Sequence, residues 1–418
     1  MPFAHALGLD FGTSNSTAGW WKEAGEPLLA LEDGQPTLPS VIFFNAEERR
    51  PAFGRQALSE YLDGYEGRLM RSLKSLLGSK LLKSETAVLG SSVPFTEVLG
   101  LYLKEIKQRA EQQAGTAFDQ VVLGRPVFFV DDDPVADQEA AQTLEAVAKK
   151  IGFKEVSFQF EPIAAAFDYE RTIEREERVL IIDIGGGTSD FSVVRLAPER
   201  RSQSDRQQDI LATAGVHIGG TDFDKQLNLD AVMPLFGYGG RMKSDAFMPT
   251  RYHLNLATWH TINSLYAKKS QLALKNMRYD VVDPQGIDRL INLLEQRAGH
   301  WLSMEVESAK IALSAVDQHS IDLKRIEQGL CATTTRQGFE ACIAPLLQRI
   351  QTSLMQVLED AGVTPQSIDT VFFTGGSSSI GALRQAVQQL VPNARVTQGN
   401  TFGSIGSGLA IEAQRRYR

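Results

Sequence analysis

The sequence is poor in cysteine: Cys331 and Cys342 are the two that occur among its 418 residues. Their separation exceeds that of a CxxC pair, and neither has a cluster of histidines or cysteines beside it. This pattern does not match a zinc site, and so few cysteines do not suggest a framework of disulfides. We therefore predict a protein of a reducing compartment without structural zinc.

A large excess of one charge is also missing. The 51 acidic and 43 basic residues give a net charge of −8, and the longest basic cluster is the short run RRYR at 415–418. This balance argues against nucleic acid or an anionic membrane as a partner. The sequence contains no apolar run of the roughly 20 residues that span a bilayer. Residues 1–9 do not have the basic and apolar segments of a signal peptide, so we predict a cytoplasmic protein.

What the sequence does contain is an alternation of strand and helix patterns. Short β-branched or aromatic runs predict strands at 6–11, 41–44, 120–130, 156–160, 179–184, 191–196, 210–216 and 370–374. Helical spacing before Gly152 and before Gly362 predicts two helices with glycine stops, at 140–151 and 339–361. Pro345 predicts a kink or a break in the second helix. The alternation predicts an α/β protein with sheets covered by helices.

Two stretches of the chain resemble each other. LGLDFGTSN begins at Leu7 and LIIDIGGGTSD begins at Leu180, and each has a hydrophobic strand followed by an acid, glycine and hydroxyl residues. Their separation is much longer than the repeats of roughly 20–50 residues found in solenoids, so we predict duplicated domains. The segment from Asp230 to Gly299 breaks the strand rhythm and predicts a mostly helical insertion.

The repeated motif has the chemistry of a phosphate site. A strand that enters a glycine turn followed by Ser or Thr presents several backbone N–H groups in a row, and such a nest binds phosphate oxygens. Asp10 and Asp183, at the ends of the two strands, would hold Mg²⁺ through its water shell. A third strand ends at Gly375 and Gly376, where flat backbone could contact a nucleoside. Together the three turns predict a nucleotide site.

These motifs resemble the ATPase domain of the DnaK-type chaperones, the heat-shock 70 family, within the superfamily of actin and the sugar kinases. The resemblance covers most of the chain. It is of the kind seen particularly in the small YegD-type members, which lack a substrate-binding domain. Further matching stretches are LKSLLG at 73–78, EPIAAA at 161–166, GGTDFD at 219–224, ESAKIALS at 307–314 and DAG at 360–362.

The resemblance implies an actin-like ATPase fold of two lobes, each with a duplicated ribonuclease-H-like core, plus inserted subdomains. Lobe I would cover 1–172 with an insertion at about 39–115, and the C-terminal helix 403–418 would pack back on it. Lobe II would cover 173–402 with a mostly helical insertion at about 226–320. We therefore expect a chain without the linker and the β-sandwich of the full-length chaperones.

The resemblance also implies a role for each matching residue. Mg²⁺ and an accompanying K⁺ would be organised by Asp10, Asp183 and Asp190. Lys74 would stabilise the γ-phosphate or the attacking water, and Glu161 and Thr188 would complete the catalytic network with Asp10 and Asp183. Phosphate contacts would come from Gly12, Thr13, Ser14, Asn15, Gly185, Gly186, Gly187, Gly219 and Gly220. The nucleoside would be bound by Glu307, Lys310, Ser314, Gly375, Gly376 and Ser377.

Two departures from the family limit what it implies. The family has an arginine after the second glycine pair, and Ser379 stands there instead. Pro126 matches the switch proline of the family, but the arginine that couples the switch to a substrate domain is missing. Binding of ATP or ADP phosphates is therefore better supported than adenine specificity. For protein partners, the resemblance implies a client or a nucleotide-exchange partner but does not identify either protein.

Several functions remain open at the level of sequence. The first is a chaperone-like ATPase that binds Mg-ATP in an interlobe cleft, closes its lobes and hydrolyses ATP to ADP. The second is an actin-like filament protein, since cell-shape proteins share the EPxAAA and DIGGGT motifs. A small-molecule kinase would need an aspartate as base, which the sequence does not identify. A regulatory module could bind nucleotide with little turnover.

Overall fold

The structure is a computed structural model that describes residues 5–22, 26–201, 203, 206–400 and 402–417. The chain forms two compact units. The first unit consists of Met1–Gly219 and Arg349–Arg418, and the second of Gly220–Gln348. In the described part of the chain, no helix combines the length and apolar character needed to cross a bilayer.

The strands lie in both units. In chain order they are β1 (Ala6–Phe11), β2 (Asn15–Gly19), β3 (Thr37–Pro39), β4 (Val41–Asn45), β5 (Arg50–Phe53), β6 (Gly67–Arg71), β7 (Glu85–Val88), β8 (Ser91–Pro94), β9 (Gln120–Arg125), β10 (Glu155–Phe160), β11 (Glu177–Ile184), β12 (Ser189–Leu196), β13 (Ile210–Val216), β14 (Gln318–Asp322), β15 (Cys331–Thr335), β16 (Thr370–Thr374) and β17 (Arg395–Gln398). β14 and β15 pair in the second unit, and the other strands belong to the first.

The α-helices are likewise divided between the units. They are α1 (Gly54–Leu62), α2 (Phe95–Ala114), α3 (Pro134–Lys150), α4 (Glu161–Glu170), α5 (Gly220–Leu227), α6 (Arg251–Leu256), α7 (Lys268–Met277), α8 (Gln285–Glu295), α9 (Gly299–Leu313), α10 (Arg336–Asp360), α11 (Gly381–Leu390) and α12 (Ser404–Arg416). Helices α5 to α9 belong to the second unit, and α10 begins there and ends in the first. The segment between α5 and α9 is therefore built mainly of helices, α6 to α8 among them.

Two five-stranded sheets of the first unit share one topology. The first has the order β10-β9-β1-β2-β3, and the second has the order β17-β16-β11-β12-β13. In each sheet an antiparallel three-stranded meander comes first, and two further strands then pair in parallel beside its first strand. The duplication predicted from the two similar motifs is confirmed by this repeated order. It agrees with an actin-like ATPase fold.

The central strands have the composition that burial on both faces requires. Every residue of β1 is buried, and so is every residue from Val179 to Ile184 in β11. Such continuous apolar runs are typical of parallel pairs covered by helices, since both faces exclude water. Asp10 and Asp183 interrupt these runs near their carboxyl ends. A buried acid at that place is costly unless it has a partner, so each is a candidate for a functional site.

Helix α12 packs closely against the first sheet, because glycines remove side chains at the contact. A Cβ atom added at Gly8 of β1 would lie 2.2 Å from the backbone nitrogen of Ala410. One added at Gly408 would lie 1.7 Å from the carbonyl oxygen of Ala164 in α4. Leu409, Ala410 and Ala413 are buried at this contact. The helix therefore covers the strand that leads into the first glycine turn.

Most strand predictions are confirmed, and two expectations need correction. The bounds 6–11, 210–216 and 370–374 agree with β1, β13 and β16. The strand predicted at 120–130 ends at Arg125, because Pro126 has no N–H for the ladder. Helix α10 runs through Pro345 without the break that we expected.

Candidate functional site

The first glycine turn connects β1 to β2 and is held by short contacts. A Cβ atom at Gly12 would lie 2.1 Å from the carbonyl oxygen of Asn15, so a larger residue does not fit this turn. Ser40 fixes the turn from outside: its hydroxyl donates to the Gly12 carbonyl at 2.7 Å, and its N–H donates to the Ser14 carbonyl at 2.9 Å. The predicted residues Thr13 and Ser14 lie at its tip.

The second turn, between β11 and β12, faces the first. It is closed by the Gly185 N–H, which donates to the Thr188 carbonyl at 3.0 Å. A Cβ atom at Gly186 would lie 2.4 Å from Oγ of Ser14, and one at Gly187 would lie 2.9 Å from Oγ1 of Thr13. The missing side chains thus allow the two turns to approach each other within the first unit.

A third backbone segment packs against the second turn. A Cβ atom at Gly219 would lie 2.4 Å from the backbone nitrogen of Gly187. The preceding carbonyl, of Ile218, accepts a hydrogen bond of 2.8 Å from the hydroxyl of Ser189. The neighbouring residue Gly220 begins α5 in the second unit. The structure therefore brings Gly219 to the predicted phosphate turns.

Buried acids lie beside the turns. Asp183 and Asp190 stand opposite each other on β11 and β12, and Asp10 lies on β1. Glu161 is the first residue of α4, directly after β10. One carboxylate oxygen each of Glu161, Asp183 and Asp190 lies within 4.8 Å of the others. All of these side chains are less than a tenth exposed, so water does not screen their charges.

Lys74 is the cation of this cluster. It lies on the short 3₁₀ helix Leu73–Leu76, which follows β6, and it is buried. Its Nζ forms a short ion pair with Oε1 of Glu161. The preceding turn is unusual, since Ser72 has a left-handed φ of 53° without being glycine. Such a backbone is retained only when the surroundings impose it, and here it directs the chain toward the acids.

Burial and neighbouring charges shift the pKa values of the acids and of Lys74. Burial, helped by the charge of Glu161 and opposed by Lys74, raises the pKa of Asp10 to about 7. Burial and Glu161 likewise raise the pKa of Asp190 to about 7 against hydrogen bonds from Val127 and Thr188. The pKa of Asp183 lies well above its usual value for the same two main causes. Burial lowers the pKa of Lys74, but attraction to Glu161 and Asp10 outweighs it and the net pKa is raised.

The cluster has the properties of a cation site. Oδ1 of Asp10, Oδ1 of Asp183 and Oδ2 of Asp190 are buried and have no hydrogen-bond partner among the described residues. A divalent cation and its bound waters would supply the missing charge and donors, and carboxylate oxygens are the ligands that Mg²⁺ prefers. These residues therefore fit Mg²⁺.

Asp190 is also tied to the Pro126 segment. Its Oδ1 accepts a hydrogen bond of 2.6 Å from the N–H of Val127, directly after that proline. A Cβ atom at Gly215 would lie 2.9 Å from the same oxygen. Val127 and Ser40 contact the site through backbone atoms or a small hydroxyl, so residue type did not reveal them in the sequence.

The turn at Gly375 packs against Asp183, one of the buried acids. Gly375 has a φ of 79°, and a Cβ atom there would lie 2.4 Å from the Ile184 carbonyl oxygen and 2.6 Å from Oδ1 of Asp183. The hydroxyl of Ser377 donates to the Gly185 carbonyl at 3.4 Å. Gly375 and Ser377 therefore lie beside the second glycine turn, and their predicted contact with the nucleoside stays a prediction.

The remaining predicted nucleoside residues lie in the second unit. Glu307 and Lys310 are on α9, and Ser314 follows it. Nζ of Lys310 pairs with Asp224 at 2.8 Å and donates to the Gly220 carbonyl at 3.2 Å, so this lysine fixes the start of α5. Glu307 is partly exposed and Ser314 is exposed. Their predicted contacts with ribose and adenine stay predictions.

Comparison with known families agrees with this geometry. The family model described as Hsp70 protein matches residues 6–236 and 278–414, which is most of the chain. The chain belongs to the Hsp70 family. This Hsp70 chain thus has the nucleotide-binding ATPase region of a chaperone family. The stretch 237–277, which includes α6 and α7, lies outside the match. The residues of the acidic cluster and of the glycine turns described above all lie inside the ranges that the Hsp70 model matches.

Proposed function

We propose that the protein binds Mg-ATP at the acidic cluster of the first unit and hydrolyses it to ADP and phosphate, with closure of the two predicted lobes. One observation carries this proposal: three buried carboxylate oxygens have no hydrogen-bond partner among the described residues, beside the Lys74–Glu161 pair and two facing glycine turns. A buried cluster of this kind is a poor stabiliser of the fold, because each unpaired charge is desolvated. A bound cation and phosphates would supply the missing partners of these buried charges.

The backbone turns would bind the phosphates. The consecutive N–H groups after Gly12 and Gly185 can donate to phosphate oxygens, and glycine allows the oxygens to come close. Mg²⁺ held by Asp10, Asp183 and Asp190 would neutralise charge on the phosphates. Lys74 would add a fixed positive charge that needs no reorganisation during the reaction, which is how enzymes mainly accelerate phosphoryl transfer.

Hydrolysis then needs a positioned water. The oxygen of that water would attack the γ-phosphorus while the bond from this phosphorus to the bridging oxygen breaks, which releases ADP. One proton of the water stays on the inorganic phosphate that forms, and the other passes to solvent. Glu161 is held by Lys74 through Oε1 and lies among the acids, so its other carboxylate oxygen can orient the water. Thr188 hydrogen-bonds Asp190 and would keep that carboxylate oriented.

A second candidate is a nucleotide-binding module with little turnover. The ion pair of Lys74 with Glu161 favours it, because an ammonium held by a carboxylate has less charge to offer a γ-phosphate. The two candidates share the binding site and differ in the rate of hydrolysis.

The test measures binding and turnover in one preparation. We expect calorimetry to show ATP and ADP binding that weakens strongly when Mg²⁺ is chelated, followed by slow release of phosphate from ATP. Asp183→Asn should weaken Mg-ATP binding by about 10-fold or more, since it removes a charge near the ion. Asp245→Asn is the matched control, because its side chain is 96% exposed in the second unit.

The outcomes separate the candidates. Binding without measurable phosphate release, in the presence of Mg²⁺, would favour the module over the ATPase. Equal affinities with and without Mg²⁺ in the unaltered protein, or equal affinities for the Asp183 and Asp245 variants, would overturn the site itself.

A further inference from the structure

Three loops of the second sheet lie side by side. Strands β11, β16 and β17 are parallel neighbours, so their carboxyl ends share one edge of the sheet. β11 leads to Gly185, β16 leads to Gly375, and β17 leads to the loop that contains Gly399, Asn400 and Phe402. Ligands of α/β sheets bind at this edge. Neighbouring strands are roughly 4.8 Å apart, so the three loops extend across about 10 Å from the phosphate turn.

The last of these loops presents an aromatic ring. Phe402 is 47% exposed. A Cβ atom added at Gly376 would lie 3.2 Å from Cε1 and 3.5 Å from Cζ of this ring, which therefore lies beside the glycine pair. The chain has a serine at 379, where its family has an arginine, and Ser379 is exposed. An exposed aromatic ring thus lies beside the glycine pair at this end of the row.

The loop holds Phe402 in place. The Gly399 N–H donates to the Phe373 carbonyl at 3.0 Å, which continues the pairing of β17 with β16. The side chain of Asn400 accepts from the Phe402 N–H at 3.3 Å, and the Asn400 carbonyl accepts from Gly403 at 3.1 Å. A ring whose backbone is fixed loses less entropy when a ligand covers it, so such a ring binds more tightly.

We propose that Phe402 is the stacking platform for the nucleobase, in place of the family's arginine. This proposal rests on the proposed function, because the phosphates must first bind the turn after β11. An aromatic ring offers contact to any flat base and no directional hydrogen bond. The ring therefore determines affinity for the base and discriminates little between adenine and guanine.

The test compares a ligand that has a base with one that does not. Mg-ATP and Mg-tripolyphosphate are titrated into the unaltered protein and into Phe402→Ala. We expect the alanine variant to bind ATP about 10-fold or more weakly and tripolyphosphate unchanged, because base stacking on an aromatic side chain has about that effect. Phe402→Trp should retain ATP affinity, and its added fluorescence should change with ATP but not with tripolyphosphate.

Matched measurements exclude a structural effect. Tyr279→Ala removes another exposed aromatic ring, 71% exposed in the second unit, and should alter neither affinity. Thermal unfolding should place Phe402→Ala close to the unaltered protein, since the ring is half exposed.

The results distinguish a failure of the phosphate site from a failure of the stacking role. If the unaltered protein binds neither ligand, the phosphate site is wrong and the stacking role is overturned with it. If it binds both ligands and Phe402→Ala weakens neither, or weakens both equally, the stacking role alone is overturned. GTP binding much weaker than ATP binding would contradict recognition by the ring without directional contacts.

Discussion

The two five-stranded sheets have the same strand order but differ at their carboxyl edges. Beside the glycine turn of the first sheet, β9 leads to Pro126 and β10 leads to Glu161, which pairs with Lys74. Beside the turn of the second sheet, β16 leads to Gly375 and β17 leads to the Phe402 loop. The shared topology fixes where ligand groups can be placed. Under the proposed function, the residues after each strand would give the first sheet charge for chemistry and the second sheet flat surfaces for the nucleoside.

The turns themselves differ in tightness. Gly12 in the first sheet has no room for a Cβ atom, because the Asn15 carbonyl oxygen would lie 2.1 Å away. Gly185 in the second sheet has room, since the nearest atom would be the Thr188 carbonyl oxygen at 3.8 Å. Glycine is thus needed for the fold at the first position, whereas at the second it is available for the approach of a ligand.

The largest effect that would test this comparison is expected at Lys74. Lys74→Met keeps an unbranched chain of similar length but removes the charge, and it should lower ATP turnover by about 10²–10³-fold. It also leaves Glu161 buried and unpaired, so the free energy of unfolding should fall by about 3–5 kcal/mol. Phosphate release and urea unfolding measure the two effects.

A double variant separates chemistry from stability at this site. Lys74→Met combined with Glu161→Gln removes both charges and should regain most of the lost stability. Its turnover should stay low, because neither side chain can stabilise the γ-phosphate or orient water. Recovery of turnover together with stability would show that the pair only holds the fold.

The next effect compares the two turns. Gly12→Ala should lower the free energy of unfolding by about 1–3 kcal/mol, since a methyl group must displace backbone. Gly185→Ala should leave unfolding within about 0.5 kcal/mol of the unaltered protein. If phosphate approaches Gly185 as proposed, that variant should still bind Mg-ATP more weakly. Equal unfolding curves for both variants would remove the distinction between the turns.

The smallest effect concerns the arginine that the second sheet lacks. Ser379→Arg introduces a flat cation at an exposed position, so the free energy of unfolding should change by no more than about 0.5 kcal/mol. Its guanidinium can stack on a base, and we expect affinity for ATP to rise a few-fold. The rise should be greater in a Phe402→Ala background, where the added cation would be the main flat surface. A loss of ATP affinity would show that the ring and the arginine compete for one place.

The sequence predicts the central strands well, because their apolar runs are continuous. It predicts the start of β11 less well: the predicted strand begins at 179, whereas β11 begins at Glu177, which is buried and accepts hydrogen bonds from Tyr169 and Thr370. Such a partner is distant in the chain, and no local pattern reveals it. The break predicted at Pro345 is absent for a related reason. Ile343 and Ile350 on either side are fully buried, and this burial offsets one lost backbone hydrogen bond.

The candidate site likewise contains residues that a local sequence pattern predicts and residues that depend on contacts distant in the chain. The acids and glycines could be predicted because they interrupt apolar strands, and the family resemblance identified Lys74 and Glu161. Ser40, Val127 and Phe402 could not be predicted, because their contribution depends on backbone atoms or on the neighbouring loop in the sheet. The resemblance describes what the family has at 379, and it does not say what replaces it.

The close packing of Gly8 against Ala410 has a consequence for synthesis. The helix that covers the strand carrying Asp10 is synthesised about 400 residues after that strand. At roughly 5–20 residues per second, that interval is about 20–80 s. Throughout it the apolar face of β1 must stay exposed or be shielded by something else. A member of a chaperone family thus has a nascent chain whose own first strand needs protection from aggregation.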